Sequence, residues 1–203
     1  LESQYNQIFD KACQQFPNLK EIKDNDIVEQ ANAYFQRIYT SRQTIPDAIE
    51  MLKRFKNSTD SRETDIFKCM IHNLFDEYRF FDKYPHTELQ ITGVLFGALI
   101  QHQLVQQLSL GLALRYVLEA LRKPVNDKMH LFGTFALDQF MGRLHEWPKY
   151  CTHILQISHL RQNRDLTGRI KAAMGEPDEE EPTEHLRNFA GGTAQRFSPA
   201  AQP

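Results

Sequence analysis

Cysteine, long apolar runs and secretion signals are scarce or missing in this sequence, and each absence excludes a class of protein. Three cysteines occur in 203 residues, Cys13, Cys69 and Cys151, far apart and each within an apolar pattern. An odd, scattered set is typical of reduced, buried thiols in an intracellular protein, and not of a disulfide framework. No apolar run approaches the ~20 residues of a membrane span, and the first residues lack the apolar core of a signal peptide.

Strand patterns and excess charge are missing as well. Glycine contributes nine residues, and no segment alternates apolar and polar residues with a period of two. The net charge is −2 and the pI is near 6.5, so no global field draws the chain to nucleic acid or to an anionic membrane. The basic residues near Tyr34 and Phe55 are matched by acidic neighbours, so direct nucleic-acid binding is not expected.

Motifs for catalysis or metal binding are also absent. The sequence has no HExxH, GxSxG, P-loop or GxGxxG pattern, and each of these carries a specific chemistry. Cys69 with His72 and Cys151 with His153 suggest a metal, but a zinc site needs four convergent ligands. Cys151 and His153 point to different sides of a helix. We therefore expect structural cysteines, surface histidines, no cofactor, no bound zinc and no enzyme activity.

Helical periodicity dominates what is present. Apolar residues recur at spacings of three and four, and they predict helices at about 2–16, 26–39, 46–57, 61–82, 87–104, 108–122, 128–146 and 148–160. Taken in pairs, the helices repeat every 35–47 residues, as in two-helix solenoid units such as HEAT repeats. The spacing favours an all-α solenoid of stacked antiparallel helix pairs, with a single irregular bundle as the alternative.

One of these segments, GLALRYVLEALRKP at 111–124, is apolar on nearly every side. Only Arg115, Glu119 and Arg122 form a polar strip, at spacings that allow pairing along the surface, and Pro124 ends the helix. A helix on the outside of a bundle needs one apolar stripe. The pattern therefore predicts that helix 108–122 is among the most buried, with its charged strip at a surface edge.

The chain divides by composition near residue 160. Residues 1–160 are predicted to form the helical domain, with 1–25 as its least distinct part. Residues 161–203 contain one short helical pattern and then the acidic, proline-broken EPDEEEPTE and a small, polar end. Such a composition buries too little apolar surface to order itself, so 161–203 is expected to be a short helix followed by a linker or tail, with a docking segment around Leu186, Phe189 and Phe197 as the alternative.

Surplus apolar residues on the helix at 46–57 suggest a peptide-binding groove. Met51 and Phe55 lie four residues apart and extend the apolar arc beyond what one core face needs. If these side chains are not used by the core, they leave a groove that can take an amphipathic helical peptide. Their alternative role is ordinary packing inside the solenoid.

Five stretches also resemble a known family. They are EQANAYFQRIY at 29–39, EMLKRFKNS at 50–58, IFKCMIHNLFDEYRFFDKYP at 66–85, GLALRYVLEALRKP at 111–124 and WPKYCTHILQISH at 147–159. Together they resemble the tristetraprolin-binding domain of the large scaffold subunit of CCR–NOT deadenylase complexes, nearly continuously over 26–160. The resemblance implies a HEAT-like, MIF4G-related stack without catalytic activity. Residues from Arg161 onward depart from the family pattern.

The resemblance further implies a docking platform. In this family, short linear motifs of RNA-binding regulators fold as helices on the domain and bring deadenylation and translational repression to an mRNA. Carried over to this chain, the expected peptide-binding residues are Met51, Arg54, Phe55 and Gln107, where Gln107 stands at a position expected to be aromatic in animal relatives. Other deadenylase subunits would bind through the rest of the longer protein.

Three further expectations accompany that function. The domain is expected to be monomeric, to bind no membrane, and to act in the cytoplasm, including mRNA-processing bodies, with nuclear presence also compatible. The alternative function is a HEAT-type translation-factor module that binds an RNA helicase or RNA directly, which would show strongly salt-dependent RNA binding. A helical metal-dependent hydrolase is a third class, and bound metal would reveal it.

Overall fold

Helices make up nearly all of the part of the chain that the computed structural model describes, residues 18–175, with side chains from residue 25 onward. This part contains two 3₁₀ segments, Glu77–Lys83 and Met141–Glu146, and no β-strand. Its α-helices are α1 (Asn18–Tyr39), α2 (Ile45–Lys56), α3 (Ser61–Asp76), α4 (His86–Gln101), α5 (Gln107–Leu121), α6 (Lys128–Phe140), α7 (Pro148–Leu155), α8 (Ser158–Arg161) and α9 (Arg164–Ala173). The predicted all-α fold is confirmed. The predicted helix 2–16 and the tail after residue 175 lie outside the described residues.

Side-chain caps fix where several helices begin. Thr44 accepts a hydrogen bond from the Asp47 backbone N–H at 3.3 Å, and Pro46 occupies the first turn of α2. Asp60 and Asp127 cap α3 and α6 in the same way, each at 2.8 Å. These bonds satisfy donors that have no partner within the helix. The short connections between successive helices then let neighbours stack side by side.

The centre of the stack is α4. Its sequence HTELQITGVLFGALIQ is apolar on most sides, and it packs mainly on α6, with further contacts to α1, α2 and α5. Leu95, Leu99 and Ile100 are at most 1% exposed. Gly97 allows the closest approach, since a Cβ there would lie against the Ala136 carbonyl oxygen and 2.8 Å from its Cα. On one side α1–α3 form a first layer, and α7–α9 with the second 3₁₀ segment form the other end.

The predicted helices at 61–82, 128–146 and 148–160 are each interrupted. In the first case α3 ends at Asp76 and the tighter 3₁₀ turn follows. This turn places Phe81, which is fully buried, 5.2 Å from the ring of Phe132 on α6. Tyr78 stacks face to face on Tyr116 at 3.8 Å and donates a hydrogen bond to the Tyr116 carbonyl oxygen at 3.0 Å. The aromatic contacts with α5 and α6 accompany the change of helix type.

The predicted burial of helix 108–122 is wrong in part. In α5, Leu114 and Leu118 pack against the core, and Arg115 pairs with Glu119 at 2.7 Å, as expected. However, Leu108 is 91% exposed and Leu112 is 36% exposed. Within residues 25–175, α5 packs chiefly on α6, with fewer contacts to α4 and α7, so these two leucines are left uncovered by the described helices. The helix that neighbours cover on several sides is α4.

Near the end formed by α7–α9, Cys151 contacts one backbone carbonyl, and His130 of α6 and His159 of α8 share another. Cys151 is buried and its thiol contacts the Leu144 carbonyl oxygen at 3.4 Å. His130 Nδ1 and His159 Nε2 both face the Leu121 carbonyl oxygen, at 3.3 and 3.0 Å. Because a carbonyl only accepts hydrogen bonds, each ring donates an N–H, which joins α5, α6 and α8 at one atom.

The second cysteine of the described part, Cys69, departs from the expectation. Its side chain on α3 is half-buried, not buried, because it lies at the margin of the face that packs on α1 and α2. Partial burial raises the pKa of its thiol. Residues 18–175 contain no group of three or more His, Cys, Asp or Glu side chains placed to hold a metal ion. No helix in that range is long and apolar enough to cross a bilayer.

Candidate functional site

The four residues predicted to bind a peptide lie on two elements. Met51, Arg54 and Phe55 are on α2, and Gln107 begins α5. The C-terminal end of α2 lies beside the connection between α4 and α5, since Lys56 Nζ donates to the Gln103 carbonyl oxygen at 2.7 Å. The structure therefore places the end of α2 next to the loop that leads into α5, and the side chains on α2 face in different directions.

Phe55 is a core residue, and the expectation that its ring is surplus to the core is wrong. It is 2% exposed, and its ring meets that of Tyr34 on α1 edge to face at 5.6 Å. The buried face of α2 is formed by Ala48, Ile49, Leu52 and Phe55. The apolar arc is wide because α2 packs on both α3 and α4, and Phe55 fills the space between α2 and α1.

Met51 and Arg54 lie on one flank of α2. Met51 is half-buried, and the Gln43 side-chain amide contacts its sulfur at 3.6 Å. Arg54 is exposed, pairs with Glu63 on α3 at 3.2 Å, and covers the Phe55 ring with its guanidinium at 5.0 Å. Both residues are thus at the surface beside α1 and α3. Their role in binding a peptide stays a prediction.

The opposite flank of α2 is basic and faces the connection between α4 and α5. Lys53 pairs with Glu50 at 2.6 Å, and both lie close enough to His102 to affect its titration. Burial, followed by the charge of Lys53, lowers the pKa of His102, whereas Glu50 raises it. The shift favours the neutral form of this histidine, so the positive charge of this edge comes chiefly from Lys53 and Lys56.

Gln107 adjoins this basic edge. It is exposed, and its φ of 50° lies in the left-handed region, as does that of Gln103 at 56°. This conformation is uncommon for a residue other than glycine. Between them, Leu104 and Val105 are buried and fix the loop to the core. The backbone thus turns sharply twice, and α5 starts at the surface, four residues after Gln103, which Lys56 contacts.

Two exposed leucines follow Gln107 on α5. The sequence patterns did not identify this pair as a site. Leu108 and Leu112 lie one helical turn apart and are 91% and 36% exposed, while a Cβ at Gly111 would have nothing within 4 Å. A leucine pair that the described helices leave exposed is the arrangement that an amphipathic peptide helix can cover. The signal in the sequence is the glycine between two leucines on a helix that already has a complete core face.

The chemistry of this surface suits binding. The exposed leucines offer apolar area, Lys53 and Lys56 offer donors and positive charge, and Gln107 offers an amide. No nucleophile with an adjacent general base lies among these residues. We refer to Leu108, Leu112, Gln107 and the Lys53–Lys56 edge together as the α2–α5 surface.

Comparison with known proteins identifies the family. Residues 1–181 match the model of the family described as "CCR4-NOT transcription complex subunit 1 TTP binding domain". Over 177 residues the chain is 39% identical to General negative regulator of transcription subunit 1 of Schizosaccharomyces pombe. The aligned region covers 87% of this chain and 8% of that protein. Over 182 residues it is 34% identical to CCR4-NOT transcription complex subunit let-711 of Caenorhabditis elegans, covering 88% of this chain and 7% of that protein.

A solved structure agrees. The N-terminal domain of the yeast Not1 superposes with a TM-score of 0.70 at 33% identity, covering 73% of this chain and 28% of that chain. The resemblance seen in the sequence and the all-α solenoid fold are both confirmed, while the chain spans less than a tenth of the length of the two relatives above. The chain belongs to the TTP-binding-domain family of CCR4-NOT transcription complex subunit 1.

Proposed function

We propose that this domain is a non-catalytic scaffold module of the CCR–NOT deadenylase complex. It docks short helical motifs of tristetraprolin-like RNA-binding regulators and so brings deadenylation and translational repression to their mRNAs. Family membership supports the scaffold role. We further propose that it works as a monomeric domain in the cytoplasm, including mRNA-processing bodies.

The observation that supports a docking site most strongly is the exposed leucine pair of α5. Leu108 and Leu112 project from a fifteen-residue helix whose core face is already packed. A regulator helix lying across them would bury their side chains and place its polar residues near Gln107 and the lysines of α2. Met51 and Arg54 stay in the proposal as outlying contacts on the other flank of α2, and Phe55 contributes by holding α2 in place.

The experiment is a titration of a labelled helical peptide of a tristetraprolin-type regulator, roughly four turns long, into wild-type and variant domains. Leu108→Asp changes a side chain that makes almost no contact in the fold, so the melting temperature should stay the same. Removing one apolar anchor from such an interface commonly costs about 2 kcal/mol, which is roughly a thirtyfold loss of affinity. If the folded variant binds the peptide as tightly as the wild type does, the α2–α5 surface is the wrong site.

Val125→Asp is the matched control. Val125 is also an exposed apolar residue, at 66% exposure, but it lies in the connection after α5 and outside the proposed surface. The same charge placed there should leave peptide affinity unchanged. Equal losses in both variants would show a general electrostatic effect on the peptide, and failure of every tested regulator peptide to bind the wild type would overturn the docking function.

A further inference from the structure

A second surface, distinct from the α2–α5 surface, is a cleft of about 590 Å³ at the other end of α5. It lies where the first 3₁₀ segment meets the end of α5 and the start of α6. Its walls are Tyr78, Arg79, Asp82, Glu119, Arg122, Lys123 and Met129. The volume is that of a site for a few side chains. We call it the basic cleft.

The charges around the basic cleft are unbalanced. Arg79, Arg122 and Lys123 are exposed, and none of them has a carboxylate within ion-pair distance in residues 25–175. Of the two carboxylates in the wall, Glu119 is engaged by Arg115, whose Nε lies 2.7 Å from Glu119 Oε1. Only Asp82 is left to oppose three cations. What distinguishes this place is that three cations without a carboxylate partner in residues 25–175 line one cleft together.

The elements that form the cleft hold these side chains in a fixed frame. Tyr78 joins the 3₁₀ segment to α5 through its stack on Tyr116 and its hydrogen bond to the Tyr116 carbonyl oxygen. Lys128 Nζ donates to the Tyr84 carbonyl oxygen at 3.2 Å and ties α6 to the end of the same segment. The three cations are therefore anchored on elements that are bonded to one another, and their positive potential is maintained in one place.

We propose that the basic cleft docks a carboxylate-rich segment of a partner protein, with its acidic side chains between Arg79, Arg122 and Lys123. A peptide fits better than a nucleic acid for two reasons. Tyr78, the aromatic ring in its walls, already has one face stacked on Tyr116 at 3.8 Å and meets Phe81 edge to face at 5.6 Å, which leaves little of its surface for stacking a base. Asp82 and Glu119 would repel an unbroken line of phosphates, whereas a peptide can place its carboxylates at the three cations and its backbone N–H groups at Asp82 and Glu119.

The test is fluorescence anisotropy with the full chain and a fluorescein-labelled, glutamate-rich dodecapeptide, beside its glutamine counterpart. The wild type should bind the glutamate peptide, less tightly as salt rises, and should not bind the glutamine peptide. The double variant Arg122→Glu, Lys123→Glu reverses two exposed charges, so its melting temperature should hold while affinity falls at least tenfold. Wild-type affinity in the folded double variant, or no binding of the glutamate peptide to the wild type, overturns the proposal.

The control variant is Arg42→Glu, Lys149→Glu. It changes the net charge by the same amount at two exposed cations that lie outside the basic cleft, and it should bind the glutamate peptide as the wild type does. An equal loss in this control would mean attraction by net charge alone and would overturn the proposal.

Two further arms test other occupants. The first arm uses a labelled single-stranded RNA. If the RNA binds the wild type more tightly than the peptide does, and the double variant loses that binding, the cleft is a nucleic-acid site instead. Neutralising Glu179, Glu180 and Glu181 to glutamine should leave peptide affinity unchanged. A rise in affinity would mean that the chain's own acidic stretch occupies the cleft, and the partner proposal would fall. Leu108→Asp should not affect this binding, so the outcome is independent of the regulator-docking function.

Discussion

Gly97→Ala and Gly111→Ala should change the stability of the domain in opposite directions, because only Gly97 lies in the close contact of α4 with α6. At Gly97 a new Cβ would lie against the carbonyl oxygen of Ala136 and 2.8 Å from its Cα, whereas carbon atoms normally pack at about 3.5–4.0 Å. The obstacle is backbone, so no side chain can rotate away and the two helices must separate. At Gly111, in α5, a new Cβ would meet nothing within 4 Å.

The magnitudes follow from these geometries. Overpacking costs about 1–3 kcal/mol, and Gly97→Ala should reach the upper end because α4 is the centre of the core. Replacing glycine by alanine inside a helix returns about 1 kcal/mol. The net loss is then about 2 kcal/mol, which in a chain of this size lowers the melting temperature by roughly 4–8 °C. Gly111→Ala should gain about 1 kcal/mol and raise the melting temperature by roughly 2–4 °C.

Far-UV circular dichroism melting of both variants, together with urea titration, measures the two effects. Adding Ala136→Gly to Gly97→Ala should not restore stability, because the clash is with the backbone of residue 136 and not with its methyl group. The reasoning is refuted if Gly97→Ala melts at or above the wild-type temperature. It is also refuted if Gly111→Ala destabilises the domain as much as Gly97→Ala does.

Two other predictions concern the core of the first layer and the histidine pair. Phe55→Asp should abolish cooperative melting, because it removes a buried ring and buries a charge at a cost of more than about 4 kcal/mol. Met51→Asp on the same helix is the control and should still melt cooperatively. A folded Phe55→Asp variant would contradict the assignment of Phe55 to the core. Burial lowers the pKa of His130, and the nearby His159 lowers it further. The hydrogen bond to the Leu121 carbonyl and the charge of Asp127 raise it, but by less. The unfolded state therefore binds the proton more readily, so the free energy of unfolding should fall as pH drops from above about 6.5 towards the folded pKa. His130→Asn should flatten that slope in urea titrations across this pH range, and an unchanged slope would show that other groups are responsible.

The positions of most helices could be predicted from the sequence, but their internal breaks could not. Helical spacing and Pro124 are local signals for helix bounds, although the helix predicted at 26–39 begins earlier, at Asn18. The end of α3 at Asp76 is different, since the 3₁₀ turn that follows places Phe81 against Phe132, fifty-one residues further along the chain. Periodicity within one segment contains no information about such a distant contact.

Burial was the least predictable property. An apolar pattern shows which face of a helix can be buried, but it does not show whether another element covers that face. The pattern of α2 allows Phe55 to be surplus to the core, yet Tyr34 on α1 packs against it. The pattern of α5 predicts burial on nearly every side, yet Leu112 is 36% exposed because no element within residues 25–175 covers it fully. In α4 the sequence ITGVLFGALI is apolar all round, which is the better sign of a central helix. The family resemblance indicated the kind of site, but the exposed side chains of α5 had to come from the structure.

The length of α5 sets a spacing rule for whatever binds this domain. The leucine pair begins at its first turn and the basic cleft lies at its last, and the fourteen residues from Leu108 to Arg122 span roughly 21 Å at 1.5 Å per residue. An extended linker of about six or seven residues covers that distance. A ligand with an apolar helix followed or preceded by an acidic stretch at this separation would bind at both ends of α5, and the second contact would form at a high effective concentration. Regulators could then be ranked by avidity, through linker length alone, without any change in the residues that touch the domain.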